Sequence, residues 1–157
     1  MAEHTATVVW DRHEAAFIDN RYSRAHRWDF DGGVQVAASS SPEVIPLPLS
    51  VAEAVDPEEA FVASLSSCHM LWFLAIAAKQ KFIVERYRDH AVGVMERDKS
   101  GTQSITTVTL RPETTFIGDK LPSPEELLAM HHEAHARCYI ANSVKSEVRC
   151  EPVAVSI

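Results

Sequence analysis

Asp56-Pro57-Glu58-Glu59-Ala60-Phe61-Val62-Ala63-Ser64-Leu65-Ser66-Ser67-Cys68-His69-Met70-Leu71-Trp72-Phe73-Leu74 combines the clearest helix start in the chain with its least polar run. Asp56 suits an N-cap and Pro57 the first helical position, and Glu59 completes a capping box by reaching back to the cap. No residue from Ala60 to Ala78 carries a formal charge, and apolar side chains fall on every side of the helical wheel. The pattern predicts a helix from Pro57 to about Lys79–Lys81, buried all round. A cysteine and a histidine, Cys68 and His69, sit in its middle, where a packed core would do as well with Ala or Leu.

A chain of 157 residues suits a single domain spanning 1–157, long enough to bury a core without disulfides or metal. The net charge of −7, from 22 acidic and 15 basic residues, argues against nucleic acid or an anionic membrane surface as partner. The N-terminus, Met1-Ala2-Glu3-His4, is polar and lacks a basic-then-apolar leader, so a cytoplasmic location is expected. The uncharged run approaches the length of a membrane span, but Ser64, Ser66, Ser67 and His69 interrupt it, and a soluble core helix is the reading adopted.

Outward from this helix, Thr5–Trp10, Arg21–Phe30 and Val34–Ala38 are rich in β-formers, and the turn Asp31-Gly32-Gly33 joins the last two into a hairpin. Ser39–Val55, with Pro42, Pro46 and Pro48, reads as a long loop. Val84–Glu96 and Ser104–Phe116 read as a long hairpin around Asp98-Lys99-Ser100-Gly101. Ser123, Pro124 and Glu126 repeat the capping-box signal and open a second helix that should fray near Cys138, and Asn142–Ser156 reads as a final strand. Strands, helix, strands, helix, strand without βαβ alternation predicts an α+β fold. The first helix needs more apolar cover than one small sheet supplies, which points to a homodimer.

Three cysteines, Cys68, Cys138 and Cys150, show no disulfide-framework spacing, and free thiols are the default in a reducing compartment. Cys68 in mid-helix and Cys138, 70 residues on at the end of the other helix, can serve as a peroxidatic and a resolving thiol. That chemistry requires a thiolate, which attacks a peroxide to give a sulfenic acid that a second thiol condenses into a disulfide. Burial opposes ionisation, so Cys68 needs a cation, and Arg21, Arg24 and Arg27 are the available group. The competing reading takes Cys68 as a small hydrophobe. His69 points about 100° away from Cys68 around the helix and reads as a core histidine, and Cys150 reads as structural.

His131, His135 and Cys138 are spaced i, i+4 and i+7, which would place three potential zinc ligands on one helical face. Against this, the stretch His132-Glu133-Ala134-His135 is one residue short of the metalloprotease spacing, and a polar, partly exposed surface is the reading preferred for this face.

Val55-Asp56-Pro57-Glu58-Glu59 through Ser67-Cys68-His69, the segment His135-Ala136-Arg137-Cys138-Tyr139-Ile140-Ala141-Asn142-Ser143-Val144-Lys145, and the hairpin through Asp31-Gly32-Gly33 together resemble the OsmC/Ohr family of osmotically inducible and organic hydroperoxide resistance proteins. The resemblance implies an intertwined α+β homodimer and a thiol peroxidase that reduces organic hydroperoxides. It implies Cys68 as peroxidatic cysteine, Cys138 as resolving cysteine and Glu58 as the carboxylate that orients an arginine, here Arg24 with Arg27 as the other choice. It also implies a lipoyl-type dithiol as reductant and no cofactor. Apolar neighbours Phe61, Leu65 and Trp72 would favour alkyl peroxides over hydrogen peroxide. Ser66-Ser67-Cys68-His69-Met70-Leu71-Trp72 differs from the Ala-Cys-Phe type of the family's best-studied branches, and the long segment 39–55 is a second departure. The alternative is a non-catalytic stress or binding protein of the same fold, with metal held by His131, His135 and Cys138.

Overall fold

A computed structural model describes residues 1–153 and divides them into two compact units, Met1–Ala60 and the residues from Phe61 onward. In the first unit, β1 (Ala6–Val9), β2 (His26–Phe30) and β3 (Gln35–Ala38) form an antiparallel sheet in the order β1-β2-β3. The strand expected over Arg21–Phe30 begins only at His26, because the preceding backbone is engaged elsewhere: Arg24 N–H donates to the Leu49 carbonyl at 2.7 Å. The segment 39–55 lacks strands, as its prolines predict, but it is closed at its base. Ser39 N–H donates to Val55 O at 3.1 Å, and Val51 N–H to the buried Ser39 Oγ at 3.0 Å.

Helix α1 (Pro57–Lys79) opens with the expected capping box: Glu59 N–H donates to Asp56 Oδ1 at 2.7 Å, and Asp56 N–H to Glu59 Oε2 at 3.2 Å. Its end is a Schellman closure in which Phe82 N–H donates to Ala77 O and Lys81 N–H to Ala78 O, both at 3.0 Å. Lys81 occupies the left-handed position, φ 66°, where glycine is usual.

In the second unit, the long hairpin forms but is broken into two sheets. β4 (Ile83–Asp89) pairs with β7 (Pro112–Ile117), and β5 (Val92–Arg97) pairs with β6 (Gln103–Leu110), all antiparallel. The break falls where Arg111 N–H donates to the Asp89 carboxylate at 2.6 Å instead of to a strand, and where Pro112 has no N–H to give. β8 (Glu147–Cys150) lies parallel to β6 and completes the order β5-β6-β8. The final strand is thus shorter than expected over Asn142–Ser156. A 3-10 turn, Ala141–Ser143, occupies its start, and 154–156 lie outside the described residues. α2 (Pro124–Arg137) carries the predicted box, with Glu126 N–H donating to Ser123 Oγ at 3.2 Å and Ser123 N–H to Glu126 Oε2 at 2.8 Å.

All-round burial of α1 is not what the chain provides. Its buried residues, Leu65, His69, Phe73, Ile76 and Ala77, form a single stripe at helical spacing, and Leu71 is 63% exposed. Phe73, Ile76 and Ala77 pack with Phe82, Leu127, Met130 and Ala134, which docks α2 on α1. Leu65 packs with Val108 and Leu110 of β6. Burial of each large side chain contributes about 1.5–3 kcal/mol.

Helix and sheet approach closely at Gly93 in β5, where a Cβ would stand 2.6 Å from a methyl of Val62. Gly93→Ala should destabilise by about 1–3 kcal/mol through overpacking. Adding Val62→Ala should restore most of that loss in denaturant unfolding, whereas strictly additive single-site effects would contradict a direct clash.

Candidate functional site

Adjacent residues on α1 serve two separate sulfur neighbourhoods, since consecutive side chains diverge by about 100° around a helix. Cys68 is half-buried, and its thiol lies close enough to that of Cys138, which is 1% exposed, to act on its ionisation. Cys138 is the C-cap of α2, with extended backbone (φ −64°, ψ 111°), and its Sγ accepts from Ala141 N–H at 3.4 Å. Asn142 braces this corner by donating its side-chain amide to the Cys138 carbonyl at 3.0 Å and to the Ala136 carbonyl at 3.1 Å. Burial first, and the Cys68 thiol second, push the Cys138 thiol up to about 11. The two cysteines that the spacing alone left 70 residues apart are therefore neighbours as free thiols.

Trp72, one turn beyond Cys68, packs edge-on against Tyr139 with ring centroids 5.5 Å apart, and the Arg137 guanidinium lies 5.4 Å above its indole. Arg137 is also paired with Glu133 at 2.7 Å. This aromatic and cationic group beside the end of α2 escaped the sequence reading, which looked for arginines only on the early strands. Leu65, expected to line a substrate pocket, is fully buried against Val108 and Leu110 and has no surface to offer a ligand. Phe61 is partly buried and borders a cleft of about 800 Å³ between β5, β6 and β8.

Arg24 and Glu58 line one cavity of about 480 Å³ in the first unit, walled by Val8, Trp10, Phe17 and Tyr22. The guanidinium sits 3.8 Å over the Tyr22 ring and donates to Asn20 Oδ1 at 2.8 Å, to the Asn20 carbonyl at 3.1 Å and to the Tyr22 carbonyl. Among the described residues Arg24 has no carboxylate partner. Arg27 instead forms a two-pronged pair with Asp29 at 2.6 and 3.0 Å on an exposed strand. Trp10, Phe17 and Tyr22, which form an aromatic cluster around Arg24, carried no periodic signal in the sequence.

The second neighbourhood joins His69 and Cys150, both read as structural, to His131, a candidate zinc ligand of the other triplet. His69 Nε2 and His131 Nδ1 are 3.0 Å apart, and the Cys150 Sγ lies 3.6 Å from His69 Nε2. Both rings are 1% exposed, stacked with centroids 5.4 Å apart, and His131 stacks in turn on Phe73 at 4.2 Å. The alternative metal triplet His131, His135 and Cys138 does not assemble. α2 ends at Arg137, so Cys138 leaves the helical face that the i, i+4, i+7 spacing assumed, and His131 turns toward α1. Among the described residues the three donors that converge are His69, His131 and Cys150, with their ligand atoms all within 4.8 Å of one another.

The sequence profile of the OsmC-like proteins matches residues 50–153. The chain belongs to the OsmC-like family. Its fold is that of an OsmC-like protein of unknown function from Vibrio cholerae, at 56% identity and a TM-score of 0.96 over 98% of this chain and 100% of that one. Two more distant structures share the fold. One is an organic hydroperoxide resistance protein from Legionella pneumophila, with TM-score 0.69 and 16% identity over 100% of this chain and 98% of that one. The other is the organic hydroperoxide resistance protein of Bacillus subtilis, with TM-score 0.66 and 19% identity over 97% of this chain and 98% of that one. Comparison with curated proteins finds no match.

Burial sets the charge state of the two rings in this OsmC-like protein. Desolvation, and then the neighbouring histidines, lower His69 from 6.5 to about 4 and His131 from 6.5 to about 3. The unfolded chain therefore takes up protons that the folded chain refuses, and acid favours unfolding. The contribution of the neutral rings is complete above pH 6.5 and is lost progressively as pH falls toward about 4 and about 3. With chelator present, stability should drop by up to about 1.4 kcal/mol per pH unit for each ring. Thermal melts across this range should show a flatter profile for His131→Leu than for the parent; an unchanged slope would contradict neutral burial of that ring.

Proposed function

We propose that this OsmC-like protein is a thiol peroxidase for organic hydroperoxides, with Cys68 as the peroxidatic and Cys138 as the resolving cysteine. The observation that carries the reading is the proximity of the two thiols, close enough for Cys68 to raise the pKa of Cys138, since a second sulfur must lie nearby for a sulfenic acid to be resolved as a disulfide. The Cys68 thiolate attacks the distal oxygen of the hydroperoxide and the O–O bond breaks. The alkoxide takes a proton and leaves as the alcohol, and Cys68 becomes a sulfenic acid. Cys138 then bonds to the Cys68 sulfur. The S–O bond breaks, and the hydroxide leaves as water with the proton that the raised pKa keeps on Cys138. A lipoyl-type dithiol supplies two electrons to reopen the disulfide and is itself oxidised to a cyclic disulfide.

Arg24 is proposed as the guanidinium that holds Cys68 ionised, with Glu58 orienting it. Their shared cavity and the lack of a carboxylate partner for Arg24 among the described residues support Arg24 over Arg27, whose charge Asp29 already engages. Phe61 and Trp72 are proposed as the apolar contacts for the alkyl tail. A homodimer is the proposed working form: α1 leaves Leu71 exposed among uncharged neighbours, a face that a second copy would cover.

Cys68→Ser should abolish consumption of cumene hydroperoxide supplied with dihydrolipoamide. Cys138→Ser should still form one sulfenic acid per chain, detectable with a dimedone probe, but should form no intramolecular disulfide. Parent-like turnover in Cys68→Ser would end the mechanism. Arg24→Met should lower the second-order rate with peroxide by about 100-fold or more, the scale of removing one electrostatic stabiliser. Arg27→Met should stay near the parent rate, and the reverse ranking would move the guanidinium's role to Arg27.

A further inference from the structure

We propose that His69, His131 and Cys150 form a zinc-binding site, separate from the Cys68–Cys138 pair and independent of the peroxidase reading. Two imidazoles and a thiol are drawn from three elements, α1, α2 and β8, into the core of one unit. For this they make one ring-to-ring hydrogen bond of 3.0 Å and one thiol contact of 3.6 Å. That is a poor return for desolvating three polar groups. The outer ring nitrogens, His69 Nδ1 and His131 Nε2, have no hydrogen-bond partner among the described residues, so the rings gain nothing on that side either. Core packing alone would be served by Leu or Phe at these positions.

The inner donor atoms fit a tetrahedral cation. Zn–N bonds of about 2.0–2.1 Å and Zn–S bonds of about 2.3 Å imply N···N separations of about 3.3 Å and N···S separations of about 3.6 Å at tetrahedral angles. The observed separations are 3.0 and 3.6 Å, and all three donors lie within 4.8 Å of one another. Opening the ring pair by a few tenths of an ångström admits the ion. Ligation through His69 Nε2 and His131 Nδ1 puts each ring's proton on its outer nitrogen, and Cys150 releases its proton to solvent as it binds. Two neutral imidazoles and one thiolate are a borderline-soft set suited to zinc rather than magnesium or calcium. Three protein ligands leave a fourth position for water or another small group. Cys150 is only partly buried, which gives the ion a way in.

The full-length protein, treated with chelator and then titrated with Co²⁺, tests the site. One equivalent per chain should give the intense visible absorption of four-coordinate cobalt together with a thiolate-to-cobalt charge-transfer band in the near ultraviolet, and Zn²⁺ should bleach both. Cys150→Ser should remove the charge-transfer band and weaken cobalt binding by at least about 100-fold. His131→Gln should weaken it similarly. The double variant Cys68→Ser/Cys138→Ser should keep the full spectrum. Should His131→Gln fail to fold, Cys150→Ser with parent-like circular dichroism carries the test alone. Absence of stoichiometric cobalt binding, a spectrum that survives Cys150→Ser, or one lost in the double variant would each overturn the proposal.

Discussion

The seating of α2 on α1 is the contact on which the chemistry of the second unit depends. Phe73, Ile76 and Ala77 of one helix close on Leu127, Met130 and Ala134 of the other, and the hydrogen-bonded pair His69 and His131 joins the same two helices. This packing fixes the register of two cysteines and two histidines at once. With α2 docked through Met130 and Ala134, His131 turns toward His69, and the chain leaves the helix where Cys138 meets Cys68. A slide of either helix by one residue would rotate its side chains by about 100° and separate both pairs.

Two neighbouring positions on α1 therefore feed two different kinds of sulfur site. Cys68 is half-buried beside Cys138, one turn before Trp72, which packs on Tyr139. His69 faces the interior, where burial keeps its ring neutral and where His131 and Cys150 surround it. The histidine that follows Cys68 is thus turned away from it, toward His131. It belongs to the interior cluster, and its counterparts are His131 and Cys150.

Most secondary structure was legible because its signals are local. Both capping boxes form as Asp56, Glu59, Ser123 and Glu126 predict, and the long hairpin closes around Asp98–Gly101. The departures arise where a distant partner competes for the backbone. Arg24 lies outside the strand because Leu49 takes its N–H, and the hairpin breaks because Asp89 takes that of Arg111. Burial of α1 was overestimated because composition records how apolar a helix is, not how much cover the chain supplies; α1 buries one stripe and leaves Leu71 outside. The aromatic wall of Trp10, Phe17 and Tyr22 around Arg24 was invisible for the same reason, since it forms only when a loop folds back on a strand.

The sequence by itself determined the element types, the α+β class, the family and the candidate pair Cys68 and Cys138, because capping, turn chemistry and motif spacing are written in residues a few positions apart. Tertiary structure alone decided which polar side chains share a cavity. It dissolved the triplet of His131, His135 and Cys138, since α2 stops before Cys138, and assembled His69, His131 and Cys150 from positions as much as 81 residues apart. Contacts across such separations depend on how helices and sheets dock, and docking is set by packing of apolar faces rather than by the spacing of the polar residues they carry.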